Sequence, residues 1–137
     1  REGSFVGLLR KMSSEPGTAL AQQMRRLQRR ARQLAPARVE FLKTCDVCAQ
    51  ALAREELDEA AGLLARLARK LPVYASAPLP ELLGSYSECL EQQGGAARRE
   101  HLILVLLTME VALEGRPGHA YTELPTDLAA GKAPSRD

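Results

Sequence analysis

Apolar residues recur along this chain at three- and four-residue spacings, the period that gathers them on one face of an α-helix. A first such segment runs from Ser4 to about Met12, with Phe5, Leu8, Leu9 and Met12 on one side and Ser4 placed to cap it; the cluster Ser13-Ser14-Glu15-Pro16-Gly17 ends it. A second spans 18–34, with Thr18 as N-cap and Leu20, Met24, Leu27, Ala31 and Leu34 along its stripe. Pro36 interrupts that pattern, and because proline is tolerated in a first helical turn, a third helix is expected to begin there and run to 53 with Val39, Leu42, Cys45, Ala49 and Leu52 inward. A fourth covers 55–71 through Leu57, Ala60, Leu64, Leu67 and Leu71 until Pro72 stops it. Its first turns carry Glu55, Glu56, Asp58 and Glu59 and its last turns Arg66, Arg69 and Lys70, each sign at the end the helix dipole favours.

Pro80 opens a fifth helix, 80–93, with Leu82, Leu83, Tyr86, Cys89 and Leu90 inward and Gly94-Gly95 as its stop. The last segment, 96–114, is apolar on most sides, which places it in the middle of a bundle, surrounded by the other helices. The expected architecture is therefore all-α: a compact bundle of five to six mostly antiparallel helices over residues 1–118, with an extended or disordered tail over 119–137.

The pair of helices from about Thr44 to Pro72 resembles a single tetratricopeptide unit: two helices, a tight turn, Ala60 at the small position of the second helix and Pro72 closing the unit. Cys48 and Leu67 stand where that family usually has Gly and Ala, and no second copy follows one period later. An array needs about three repeats to be stable, so what the resemblance implies here is the geometry of one helical hairpin and no solenoid.

Composition narrows the function classes. Leu and Ala supply 23 and 21 residues against seven for Val and Ile together, which disfavours a β-rich fold. Aromatics are 4% of the chain and Trp is absent, so a stacking platform for single-stranded nucleic acid has almost nothing to stack on. The 137-residue chain begins at Arg1 without Met or a signal-like apolar stretch, and reads as a segment of a longer protein. Three cysteines, Cys45, Cys48 and Cys89, sit inside apolar helical patterns, and reduced thiols in an intracellular compartment, nuclear or cytoplasmic, are the simpler reading. The apolar run Leu102–Leu113 is broken by Thr108 and Glu110 and falls short of the roughly 20 residues of a membrane span, so no membrane partner is expected.

Net charge is +2, but residues 1–38 hold nine basic and two acidic side chains, a balance of +7, and the rest of the chain is at −5. Five arginines lie between positions 25 and 32 with no acid among them. On a helical wheel Arg25, Arg29 and Arg32 share one flank opposite the Leu/Met stripe, and Arg26 and Arg30 extend the surface around the other side. Such a run repels itself, and its simplest reading is a solvated face whose acidic partners lie elsewhere in the chain. The acidic turn Glu55–Glu59 is one candidate within the chain. Outside it, the guanidinium fork favours carboxylate or phosphate.

The candidate partner-binding residues are accordingly Arg25, Arg26, Arg29, Arg30, Arg32 and Arg38, reading an acidic protein or complex subunit, with a DNA or RNA backbone as the alternative. The same run has the composition of a nuclear-import patch. Phe5, Leu8 and Leu9 are candidates for self-association, as in an architectural domain or a homodimer.

Other chemistry is thinly represented. Cys45-x-x-Cys48, with Cys89 and His101 as further ligands, has half the spacing of a zinc site, but its place inside a helix points to core thiols, and no metal or cofactor is expected. His101 and His119 sit in no nucleophile or base motif, and no phosphate loop is present, so the chain is read as non-enzymatic. Glu110 and Glu114, one turn apart, offer an acidic pocket, with solvent or an arginine partner as the simpler expectation. Leu79-Pro80-Glu81-Leu82-Leu83 has the form of a groove-filling LxxLL peptide, yet Leu82 and Leu83 are needed in this domain's own core.

Overall fold

The computed structural model describes residues 5–71 and 79–114. Within them lie six α-helices and no strand: α1 (Phe5–Ser13), α2 (Gly17–Leu34), α3 (Val39–Ala53), α4 (Leu57–Arg69), α5 (Leu79–Gln92) and α6 (Gly95–Glu114). From α2 onward each helix packs on the next, and α6 returns to contact α1, α2 and α4 as well as α5. The ends show the alternation of direction. At one pole the start of α2, the α3–α4 turn and the start of α6 meet, where Glu55 accepts from Gly17 N–H and from Arg99. At the other, Arg38 before α3 donates to the Lys70 carbonyl after α4.

Apolarity on nearly every side explains the place of α6. Touched by four other helices, its centre has no side left for water, and Leu102, Ile103, Leu104, Val105, Leu106 and Met109 are all fully buried. Two buried hydroxyls are satisfied locally, Thr108 Oγ1 donating to the Leu104 carbonyl and Ser87 Oγ to the Leu83 carbonyl. The hairpin geometry implied for α3 and α4 is present: the two helices pack directly, joined by a turn at Arg54–Glu56.

Three local expectations are corrected. Thr18 is not the N-cap of α2. The helix starts one residue earlier, the Pro16 carbonyl accepts from the Ala19 and Leu20 N–H groups, and no side chain of the helix itself caps it. The cap comes from elsewhere, through Glu55 on the Gly17 N–H. Pro36 does not open α3. Proline excludes its predecessor from helical backbone, Ala35 sits at φ −146° and ψ 68°, and Pro36–Ala37 is spent on a turn before α3 begins at Val39.

Third, the inward set of α3 is wider than a single stripe and is rotated. Phe41, Cys48 and Ala51 join Leu42, Cys45, Ala49 and Leu52 in the core, while Val39 is 54% exposed. The cause is that α3 lies between α2 and α4 and buries two flanks. Leu34, expected on the α2 stripe, is 45% exposed.

The expected cap Ser4, the stop at Pro72, and the tail 119–137 with His119 lie outside the described residues. So do the side chains of Phe5, Leu8 and Leu9, although α1 itself packs against α6.

Candidate interaction surface

α2 has Leu20, Met24, Leu27 and Ala31 buried on one side and arginine on the other, which is why it lies on the bundle surface with its cationic face outward. Its arginines differ in what they touch. Arg25 pairs with Asp46 of α3 and, through the same nitrogen, reaches Gln28 Oε1. Gln28 in turn is buried, its Nε2 donating to the Leu42 carbonyl at 2.9 Å. Among the described residues Arg26 and Arg30 donate only to neutral amides one turn away, Gln23 and Gln33. Arg29 and Arg32 are exposed and make no hydrogen bond or ion pair with any described residue. Arg38 is held at both faces, its guanidinium 5.5 Å above the Phe41 ring and donating to the Lys70 carbonyl at 2.7 Å.

The acidic turn does not neutralise this face. Glu55 is paired with Arg99, Asp58 with Arg98 and Glu56 with Arg54. Arg98 and Arg99 reach those carboxylates from the start of α6, and they also donate to backbone carbonyls, Arg98 to Gln93 and Glu91 and Arg99 to Ser13 and Glu15. Three carboxylates are thus engaged at their own pole. The charge asymmetry visible in the sequence becomes a spatial one: of the described ion pairs only Arg25–Asp46 involves α2.

Two grooves open on the cationic side. One, of about 510 Å³ between α2 and α3, is lined by Arg25, Arg32, Val39, Lys43 and Asp46. The second, of about 550 Å³ between the start of α3 and the end of α4, is lined by Arg38, Val39, Glu40, Phe41, Arg66, Leu67 and Lys70. Val39 is a wall of both, so they form a continuous surface. Lys43, Arg66 and the Lys70 ammonium have no ion-pair partner among the described residues.

The surface therefore holds residues that sequence reasoning did not assign to it. Arg66 and Lys70 read there as complements of the α4 dipole, and Val39 as core. The available signal was the α3–α4 hairpin: once α3 and α4 are antiparallel, the last turn of α4 must lie beside the first turn of α3.

The remaining candidates resolve into packing. Glu110 Oε1 accepts from Gln23 Nε2 at 2.5 Å across the α2–α6 contact, and the side chain of Glu114 is outside the described residues. Leu83 is buried and Leu82 packs against the core, so these two leucines of the LxxLL segment are taken up by their own domain. No group of three or more metal-binding side chains occurs among the described residues. His101 is buried with Nδ1 against the Ala97 carbonyl at 2.7 Å, and its Nε2 has no partner among the described residues. No described helix is long and apolar enough to cross a membrane.

Cys45 and Cys48 are core thiols: both are fully buried, and Cys48 Sγ lies 3.7 Å from the Ala60 carbonyl. Burial pushes both thiols up to about 12, for Cys45 against a smaller opposing pull from Arg32 and Arg25. Since the thiolate is the nucleophile, neither should react with iodoacetamide at pH 8 in the folded domain, and both should react fully in denaturant. Peptide mapping by mass spectrometry reads the result; rapid alkylation of native Cys45 or Cys48 would contradict it.

No protein family, curated protein or solved structure matches this chain.

Proposed function

We propose that this domain is a non-enzymatic protein-interaction module, a scaffold element of a cytoplasmic or nuclear multiprotein assembly, whose cationic α2 face takes a carboxylate-rich surface of a protein partner. One observation carries the reading: Arg29 and Arg32 have no counter-charge among the described residues, while the acidic turn at the opposite pole is engaged by Arg54, Arg98 and Arg99. A row of like charges that the fold leaves uncompensated lowers stability slightly and is useful only to an incoming opposite charge. Exposed apolar side chains beside the arginines, Leu34 and Val39, favour a protein over a phosphate backbone, which has nothing apolar to cover them.

The test is fluorescence anisotropy of the full chain with a labelled 12-residue peptide of Glu and Ser only. Binding should weaken by an order of magnitude or more between low and roughly physiological salt, because exposed charges are screened over about 8–10 Å there. Arg29→Glu with Arg32→Glu should abolish it and leave the melting temperature unchanged. Unfolding of the double variant, or unchanged binding, would overturn the reading. Competition by a 20-base-pair duplex at lower concentration than the peptide, with a steep salt slope, would replace it with nucleic-acid binding.

A further inference from the structure

Val39 is an anomaly for the residue that opens α3. It is β-branched and apolar, 54% exposed, and stands as the shared wall of the two grooves. On one side of it lie Arg32 and Lys43, on the other Arg66 and Lys70, four cations with no carboxylate partner among the described residues. Phe41 and Leu67 form the floor of the second groove, and Arg38 is fixed over Phe41 by its bond to the Lys70 carbonyl. The carboxylates that line these grooves are Asp46, already taken by Arg25, and Glu40.

We propose that the ridge of Val39 between these grooves is the docking site for a short acidic segment of a partner protein that carries an apolar side chain flanked by carboxylates: the apolar group lies on Val39 toward Phe41 and Leu67, and the carboxylates reach Arg66 and Lys70 on one side and Arg32 and Lys43 on the other. This rests on the acidic-partner reading above and specifies its recognition chemistry. Charge complementarity selects the occupant. The positive side chains make a simple apolar segment a poor ligand, since covering them without counter-charge would desolvate unpaired cations. The apolar wall in turn makes a purely acidic segment incomplete, because it would leave Val39 wet. Only a segment with both features satisfies the whole surface. Arg38 contributes by being already immobilised, so less side-chain freedom is lost when the groove is filled.

The experiment compares two labelled 12-residue peptides on the full chain, one of Glu and Ser only and one in which a single central Ser between glutamates is replaced by Leu. The Leu peptide should bind about tenfold tighter or more, the size expected when one aliphatic side chain leaves water. Val39→Ser should remove that gain and leave the binding of the Leu-free peptide unchanged. Arg66→Ala with Lys70→Ala should weaken the Leu peptide. Amide shifts in a nitrogen-15 titration should concentrate at 37–44 and 66–71, which reports position even if a variant folds poorly. Equal affinity for the two peptides, or shifts confined to α2 away from Val39, would overturn this inference while leaving the acidic-partner reading standing. Failure of both peptides to bind would overturn both.

Discussion

Gly17→Ala is expected to lower the melting temperature of the domain by about 10 °C, the equivalent of roughly 2–4 kcal/mol in a chain of this size. The sign is the informative part. Gly17 opens α2, and alanine is the better helix former by up to about 1 kcal/mol, so helix propensity alone predicts a gain. Packing predicts the reverse. A Cβ on Gly17 would overlap the Leu52 carbonyl oxygen and come within 2.8 Å of Glu55 Oε2. The carbonyl is backbone at the end of α3 and has no rotamer with which to move aside. α2 would have to retreat from the α3–α4 turn, breaking the 2.5 Å bond from Gly17 N–H to Glu55 Oε2 and with it the cap that α2 lacks in its own sequence.

Glu55 is drawn in as well. It holds φ at 60°, a left-handed conformation that costs a non-glycine residue about 1–2 kcal/mol, and its carboxylate bonds to Gly17 and Arg99 are what keep a glutamate there. Glu55→Gly removes the strain together with the bonds and should cost much less than Gly17→Ala. Thermal melts followed by circular dichroism at 222 nm decide it. A Gly17→Ala variant as stable as the parent, or more so, would mean that α2 does not approach the turn this closely.

What could be read in the residues and what could not divides along a physical line. α6 was legible because a helix apolar on nearly every side has one environment that suits it, the centre of a bundle. The helices themselves were legible because their stripes are regular and their breaks fall at Pro16, Pro36 and Gly94-Gly95. Errors arose where a neighbour, rather than the local pattern, sets the outcome. Val39 fits a helical stripe, but α3 is rotated by packing on both α2 and α4, so Phe41 and Cys48 take the core and Val39 is left outside. Thr18 has the chemistry of an N-cap, but the carboxylate of Glu55, 38 positions after Gly17, reaches the helix first.

The arginine face follows the same logic. Its existence can be counted in the sequence, and whether it is compensated cannot, since Glu55 and Arg99 are 44 positions apart and their pairing depends on α6 beginning beside the α3–α4 turn. Arg66 and Lys70 join the cationic surface only once the hairpin brings the end of α4 to the start of α3, and Lys43 joins it through the packing of α3 on α2.

The two kinds of arginine should separate cleanly in a matched comparison. Arg98→Ala with Arg99→Ala and Arg29→Ala with Arg32→Ala remove the same charge, so any difference in stability reports contacts rather than net charge. The α6 pair is expected to cost about 2–4 kcal/mol and the α2 pair close to nothing. Both α6 guanidinium side chains are 19% exposed, and each links a carboxylate to main-chain carbonyls. Arg98 Nε donates to the Gln93 carbonyl at 2.6 Å, closing the end of α5, and Arg99 Nε donates to the Ser13 carbonyl at 3.0 Å, closing the end of α1.

The ion pairs themselves contribute little, since Asp58 is almost fully exposed and screened by water. Most of the loss comes from carbonyls at helix ends left without a donor. The destabilisation should therefore persist in 0.5 M salt, at roughly a 4–5 Å screening length, where a purely Coulombic effect would fade. Arg99→Lys should restore only part of it, because one ammonium cannot donate in the fixed fork that reaches Glu55 and two carbonyls together. Urea titrations of the two double variants at both salt levels measure all of this. Equal costs for the two pairs would show that Arg29 and Arg32 are held by the fold, and would remove the reason for assigning them to a partner.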